Sequence, residues 1–203
     1  MFMLARLFGF LVLALAPALA SAATILVFGD SLSAGYGMPQ ERSWPTLLEA
    51  RLREAKSPYR VANASVSGET TAGGAARITG ALATHRPQIV VLQLGANDGL
   101  RGQDLDAMRR NLERMIDASR RAKAQVLLVG MRLPHNYGTA YTGKFQQVYA
   151  DLARATKIAF VPFLFEGFAD NGAYFQSDHV HPTSAAQTLM LDTVWKNLKP
   201  LLR

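Results

Sequence analysis

The chain has 203 residues, 49% of them hydrophobic, which is enough for one domain with a sizeable core. It has no cysteine, which excludes disulfide bonds, thiol catalysis and zinc sites with cysteine ligands. Its 22 Lys and Arg against 15 Asp and Glu give a net charge of +7, but the basic residues are dispersed, so we expect no nucleic-acid partner.

The first 22 residues have the pattern of a secretory signal peptide. A positive charge at Arg6 precedes an apolar stretch from Leu7 to Leu15, and Ala20-Ser21-Ala22 forms an A-x-A-like cleavage site. The apolar stretch is shorter than a transmembrane span, so an uncleaved membrane anchor is the less favoured alternative. We therefore predict cleavage near Ala22, export to the periplasm or beyond, no stable membrane insertion, and a single domain over residues 23–203.

Short apolar runs alternate with helical stretches along the rest of the chain. The runs predicted as strands cover residues 25–28, 59–64, 89–94, 125–131 and 158–161. The stretches predicted as helices cover residues 43–56, 72–85 and 104–122, then one that ends near 156 and one from a Ser184-x-x-Gln187 capping box to about 198. Strands that alternate with helices form a parallel sheet with helices on both faces. The sequence therefore predicts a three-layer α/β/α, flavodoxin-like fold with five parallel strands in the order 2-1-3-4-5.

The first predicted strand stops at Gly29 and is followed by Asp30 and Ser31. A glycine-rich turn here allows a sharp bend that leaves the Ser31 hydroxyl exposed at the end of the strand, which suits a nucleophile. The alternative is a turn in which Asp30 or Ser31 only caps the next helix. Because all strand-to-helix loops of a parallel sheet emerge at the same edge, we expect Ser31 to lie near Asn97 and residues 178–181.

A serine needs a nearby base to remove its proton, and imidazole does this near neutral pH. In the segment Ser-Asp-His-Val-His-Pro, Asp178 precedes His181 by three residues and can fold back to orient the ring. We therefore assign Ser31 as the nucleophile, His181 as the base and Asp178 as the orienting acid. Asp30 is the rival acid, although we expect it to brace the turn through hydrogen bonds. A metal site made by Asp178, His179 and His181 is a further alternative, which no H-E-x-x-H pattern or cysteine supports.

Attack on a carbonyl creates an oxyanion, which needs hydrogen-bond donors fixed in advance. The backbone N–H groups of Ser31 and Gly68 lie in loops of small residues, and the Asn97 side chain offers an amide donor. The sequence therefore predicts an oxyanion hole formed by Ser31, Gly68 and Asn97.

Apolar residues follow the third and fourth predicted strands, beside these loops. They can form an acyl-binding surface next to the serine, whereas the aromatic residues among them can also serve only to fix the loop. The residues assigned to this surface are Leu100, Met131, Leu133, Pro134, Tyr137 and Tyr141.

Four short blocks carry these residues: GDS with Ser31, SGET with Gly68, GAND with Asn97 and DHVH ending at His181. With these blocks the chain resembles the SGNH, or GDSL, hydrolase family over essentially its whole mature length. The resemblance implies a flavodoxin-like fold with the nucleophile, oxyanion donors and Asp178–His181 pair assigned above. Four longer segments, GDSLSAGYG, NASVSGETTAGG, LGANDGLRG and RLPHNYG, are similar to the bacterial periplasmic thioesterase I/lysophospholipase group, which also shows arylesterase activity.

These observations predict a serine esterase that hydrolyses carboxylic esters and thioesters of acyl chains through an acyl-serine intermediate, with no metal or cofactor. The resemblance extends the expected substrates to aryl esters, acyl-CoA thioesters and lysophospholipids. A short-acyl carbohydrate esterase with the same residues is an alternative, and a periplasmic binding protein without turnover is a less favoured one. We expect small-molecule substrates and a monomeric protein.

Overall fold

The computed structural model describes residues 23–202, which form a five-stranded sheet surrounded by helices. The strands are β1 (Ala23–Gly29), β2 (Tyr59–Asn63), β3 (Ile89–Gln93), β4 (Gln125–Val129) and β5 (Ala159–Val161). The α-helices are α1 (Ser31–Ala34), α2 (Trp44–Glu54), α3 (Thr71–His85), α4 (Ala96–Leu100), α5 (Leu105–Arg121), α6 (Thr139–Thr156) and α7 (Gln187–Leu198). The predicted signal peptide and cleavage site lie outside the described residues. Within residues 23–202, no helix combines the length and the apolar character needed to cross a membrane.

All neighbouring strands are parallel and follow the order β2-β1-β3-β4-β5. Residues 25–28 of β1 and the apolar residues of β3 are at most 1% exposed, as expected for strands covered on both faces. The predicted strand order and three-layer fold are therefore confirmed. Because the order reverses between β1 and β3, a crevice forms at their carboxyl ends, where open α/β sheets bind ligands.

The helices divide into two packed groups, α2 with α7, and α5 with both α3 and α6. In α5, Met108, Leu112, Met115 and Ile116 recur every three or four residues and are at most 1% exposed. Burying each of these side chains stabilises the fold by about 1.5–3 kcal/mol. The apolar stripe of α5 therefore packs into the core, as its spacing predicts.

Strands β2 to β5 are each one or two residues shorter than predicted, and in β3 and β4 a glycine lies where the chain leaves the strand. β3 ends at Gln93, since Gly95 has φ +114° and directs the chain into α4. β4 ends at Val129, although the N–H of Gly130 still donates to the carbonyl of Val161 at 2.8 Å. Apolar composition alone does not reveal where these turns begin.

The predicted capping box at the start of the last helix is wrong. Residues 184–186 form a 3₁₀ turn, and α7 begins at Gln187. The Gln187 side chain is 1% exposed and accepts a hydrogen bond from the backbone N–H of Trp44 at 2.9 Å. A buried donor from α2 therefore takes the place of the local cap, and Gln187 joins α7 to α2.

Candidate active site

A cavity of about 480 Å³ lies at the carboxyl edge of the sheet. Its walls include residues that directly follow β1, β3 and β4, namely Ser31, Asn97 and Met131. His181, which lies shortly before α7, completes the wall. The parallel sheet thus brings together the predicted nucleophile, one predicted oxyanion donor and the predicted base.

Three side chains are linked by hydrogen bonds, and two of them, Ser31 and His181, line this cavity. The Nε2 atom of His181 is 2.9 Å from the Oγ atom of Ser31, and its Nδ1 atom is 2.7 Å from the Oδ2 atom of Asp178. Because an ionised carboxylate can only accept, Nδ1 carries the proton and Nε2 is left to accept the serine proton. The arrangement can therefore move a proton from Ser31 to His181.

The carboxylate of Asp178 is held ionised by its neighbours. The backbone N–H of His181, the His181 ring and the backbone N–H of Val180 all donate to it, and they lower the pKa of Asp178 to about 2. Both backbone N–H groups reach Oδ1 at 2.9 Å, so Oδ2 is kept for the ring. Asp178 therefore stays negatively charged at any pH near neutrality.

The segment that carries Asp178 and His181 is fastened to the loop after α1. Gln176 donates from its backbone to the carbonyl of His181 at 2.8 Å and from its side chain to the carbonyl of Tyr36 at 2.9 Å. The Tyr36 ring lies against the imidazole of His181, with centroids 4.4 Å apart. Together with Asp178, these contacts hold the His181 ring and its segment in place.

Asp30 holds the turn in front of Ser31. Its Oδ1 atom caps α1 by accepting from the N–H of Leu32 at 3.0 Å, and it also accepts from the Gln93 side chain at 3.1 Å. Complete burial raises the pKa of Asp30 to about 6. The side-chain contacts of Asp30 are with Leu32 and Gln93, whereas Asp178 contacts the imidazole.

The two further residues predicted as oxyanion donors lie on a turn and at the start of α4. Gly68 occupies a tight turn between Val66 and Glu69, where it has φ +79°, a conformation that favours glycine. The Asn97 side chain lines the cavity and donates to the carbonyl of Glu69 at 3.0 Å. Gly68 is outside the set of residues that line the cavity, but this bond ties its turn to Asn97.

The predicted acyl surface divides into two parts. Leu100, Met131, Leu133 and Pro134 line the cavity. Tyr137 and Tyr141 do not: their hydroxyls donate to the carbonyls of Leu100 and Gln103, at 3.0 and 3.1 Å. The tyrosines therefore fix the loop, which is the other role open to them.

The opposite wall of the cavity is aromatic and was missed by sequence reasoning. Phe163, Phe165 and Phe175 line it, and Phe165 contacts the other two rings with centroids 5.5–5.7 Å apart. The density of phenylalanine in the segment FLFEGF after β5 was the available signal.

The remaining histidines have separate positions. His135 and His179 line the cavity, and His85 ends α3. Among residues 23–202, no group of three His, Asp or Glu side chains is arranged to hold a metal ion. Both ring nitrogens of His181 lie within hydrogen-bond distance of protein oxygens.

Comparison with known proteins places this geometry in context. Residues 27–189 match the sequence profile of the GDSL-like Lipase/Acylhydrolase family. The chain is 45% identical to "Esterase TesA" of Pseudomonas aeruginosa over 194 residues, which are 96% of each protein. It is 39% identical to "Thioesterase 1/protease 1/lysophospholipase L1" of Escherichia coli K12 over 183 residues, which are 90% of this chain and 86% of that protein. Its fold is similar to the crystal structure of TesA, with a TM-score of 0.86, 46% identity, and coverage of 88% of this chain and 99% of that one.

Proposed function

The chain belongs to the GDSL-like lipase/acylhydrolase family, and from this premise we propose that it hydrolyses acyl esters and thioesters with a Ser31-His181-Asp178 triad. The observation that carries the proposal is the 2.9 Å contact between His181 Nε2 and Ser31 Oγ, across 150 residues of sequence. A base at hydrogen-bond distance from a serine hydroxyl, itself oriented by a carboxylate, is the arrangement that nucleophilic catalysis requires.

The proposed reaction has two acyl-transfer steps. Ser31 Oγ attacks the carbonyl carbon while its proton passes to His181 Nε2, which then gives that proton to the departing alcohol or thiol. Water then attacks the acyl carbon while His181 takes a proton from it. The bond between Ser31 Oγ and the acyl carbon breaks, His181 returns the proton to Oγ, and the carboxylic acid is released. Asp178 keeps Nδ1 protonated throughout, so Nε2 has a free lone pair when each attack begins.

The oxyanion of each tetrahedral intermediate accepts from the backbone N–H groups of Ser31 and Gly68 and from the Asn97 amide. Asn97 Nδ2 has two hydrogens, and one of them donates to the carbonyl of Glu69. The second hydrogen remains for the oxyanion. Losing one such donor typically lowers kcat by about 10² to 10³.

The cavity lining supports acyl chains as substrates. Leu100, Leu133 and Pro134 on one side and Phe163 and Phe165 on the other offer an apolar surface beside Ser31. Such a surface stabilises a hydrocarbon chain in proportion to the area that the chain buries, so it favours long acyl chains over the short acetyl group. Aryl esters, acyl-CoA thioesters and lysophospholipids all present an acyl carbonyl to the same serine.

We also propose that the protein works outside the cytoplasm. The charged residue, apolar stretch and small-residue site within residues 1–22 support cleavage near Ala22 and export to the periplasm.

The function is tested with Ser31→Ala and His181→Ala, each assayed on p-nitrophenyl esters, acyl-CoAs and lysophospholipids. We expect both variants to fold and to lose turnover of every substrate, and a fluorophosphonate probe to label the wild type but not Ser31→Ala. Ser57→Ala and His85→Ala are matched controls that remove a hydroxyl and an imidazole outside the cavity. Retained turnover in Ser31→Ala would contradict the proposal.

A further inference from the structure

One guanidinium group holds both ends of the loop that carries Gly68. Arg77, on α3, donates from Nη1 to the carbonyl of Ala64 at 2.7 Å, where the loop begins. It also donates from Nε to the carboxylate of Glu69 at 2.5 Å, where the loop ends. The fork geometry of arginine suits two acceptors held at a fixed separation, so Arg77 fixes the distance across the turn.

The surroundings hold this ion pair in one position. The guanidinium carbon of Arg77 lies 3.9 Å from the centroid of the Phe28 ring, on β1. The side chain of Glu69 is 12% exposed and occupies the space above Gly73, where an added Cβ would lie 2.0 Å from the carboxylate. An ion pair packed in this way moves little, unlike a solvated surface pair.

The main chain of the same turn is hydrogen-bonded to Asn97, a residue that lines the cavity. The N–H of Glu69 donates to the carbonyl of Val66 at 3.1 Å and closes the turn around Gly68. The carbonyl of Glu69 accepts from Asn97, the other proposed oxyanion donor. Glu69 therefore contacts Arg77 through its side chain and Asn97 through its backbone.

We propose that Arg77 and Glu69 are positioning residues for the oxyanion hole, an inference that rests on the proposed function. The ion pair sets the direction of the Gly68 N–H and, through the Glu69 carbonyl, the orientation of the Asn97 amide. Donors aimed at the developing charge act on the transition state more than on the bound substrate. Loosening the pair therefore lowers kcat and leaves KM nearly unchanged.

The test uses Glu69→Gln, which keeps the shape and an acceptor but removes the charge, and Arg77→Lys, which keeps the charge but removes the fork. We expect kcat for p-nitrophenyl butyrate to fall about 10- to 100-fold in each, with KM within about threefold of the wild type, because small misalignments cost up to about 10²-fold. Asp192→Asn is the matched control. Asp192 pairs with Arg51 at 2.7 Å, and Arg51 also lies over an aromatic ring, so this ion pair is similar to that of Glu69 and Arg77. It differs in that it joins α2 to α7.

A double variant separates positioning from general stability. Asn97→Ala combined with Glu69→Gln should lose less activity than the product of the two single losses, because both changes affect the same donors. The proposal would be overturned if kcat were unchanged in the folded single variants or if the losses in the double variant were multiplicative. It would also be overturned if Asp192→Asn lost as much activity, or if both single variants failed to fold. If Ser31→Ala retained turnover, the proposed function itself would fail, so the two failures are distinguishable.

Discussion

Replacing Asp178 with asparagine should move the hydrogen of the His181 imidazole from Nδ1 to Nε2 while leaving the local structure in place. In the wild type, Oδ1 of Asp178 accepts two backbone N–H groups at 2.9 Å, and Oδ2 faces Nδ1 of His181 at 2.7 Å. An asparagine in the same rotamer keeps its oxygen on the two N–H groups and presents its NH₂ to Nδ1. The flipped amide would place its oxygen on Nδ1 and lose the two hydrogen bonds from the backbone N–H groups to keep one, so it is disfavoured.

The consequence is that Nδ1 must accept and Nε2 must carry the hydrogen. The Nε2–H then points at Ser31 Oγ, 2.9 Å away, and cannot take the serine proton. In Ser-His-Asp enzymes this tautomer error lowers kcat by about 10⁴, equivalent to about 5.4 kcal/mol of transition-state free energy. We expect a loss of that order for Asp178→Asn.

The assay is the steady-state hydrolysis of p-nitrophenyl butyrate by the wild type, Asp178→Asn and the control Asp117→Asn. Asp117 is an exposed carboxylate on α5 that does not line the cavity, so its variant should match the wild type. A folded Asp178→Asn protein with kcat within tenfold of the wild type would refute the tautomer argument.

Two further predictions concern stability. Burial raises the pKa of Asp30 from 3.8 to about 6, so between these pH values the folded protein keeps a proton that the unfolded chain releases. As the pH rises through this interval, Asp30 therefore lowers the free energy of unfolding by about 3 kcal/mol. Asp30→Asn should remove this part of the slope in urea unfolding between pH 3.5 and 7, and an unchanged slope would contradict the assignment. Gly95→Ala should destabilise by at least about 2 kcal/mol, since φ is +114° and the added Cβ would lie 2.3 Å from the Tyr149 hydroxyl. Thermal melts should show Gly80→Ala, with open space around the added Cβ on α3, to be as stable as the wild type or more so, and equal effects at the two glycines would refute this reasoning.

The fold was predictable because its signals are local and repeated. Each buried strand is a short apolar run, and each helix has an apolar stripe, as in α5 with Met108 and Leu112. The strand order comes from the flavodoxin-like pattern of alternating strands and helices, and the placement of Ser31 and Asn97 beside one ligand-binding crevice follows from that order. By contrast, the ends of β3 and β4 depend on single glycines, which apolar periodicity does not detect.

What escaped prediction depends on contacts between distant segments. Gln187 fits a capping box in the local sequence, but its side-chain oxygen accepts a hydrogen bond from the backbone N–H of Trp44 instead. Tyr137 follows β4, beside the cavity, but its hydroxyl donates a hydrogen bond to the carbonyl of Leu100 and the residue does not line the cavity. The aromatic wall around Phe165 comes from a segment without regular secondary structure, which periodicity does not describe.

The 150-residue separation between Ser31 and His181 has a consequence for biosynthesis. A ribosome makes β1 early, but its neighbour β3 follows only after one strand and three α-helices, and the imidazole of His181 comes later still. On the mechanism proposed above, the Ser31 hydroxyl of a nascent chain has no base until nearly all of the polypeptide has emerged and docked. Hydrolytic activity then arises only with the finished fold.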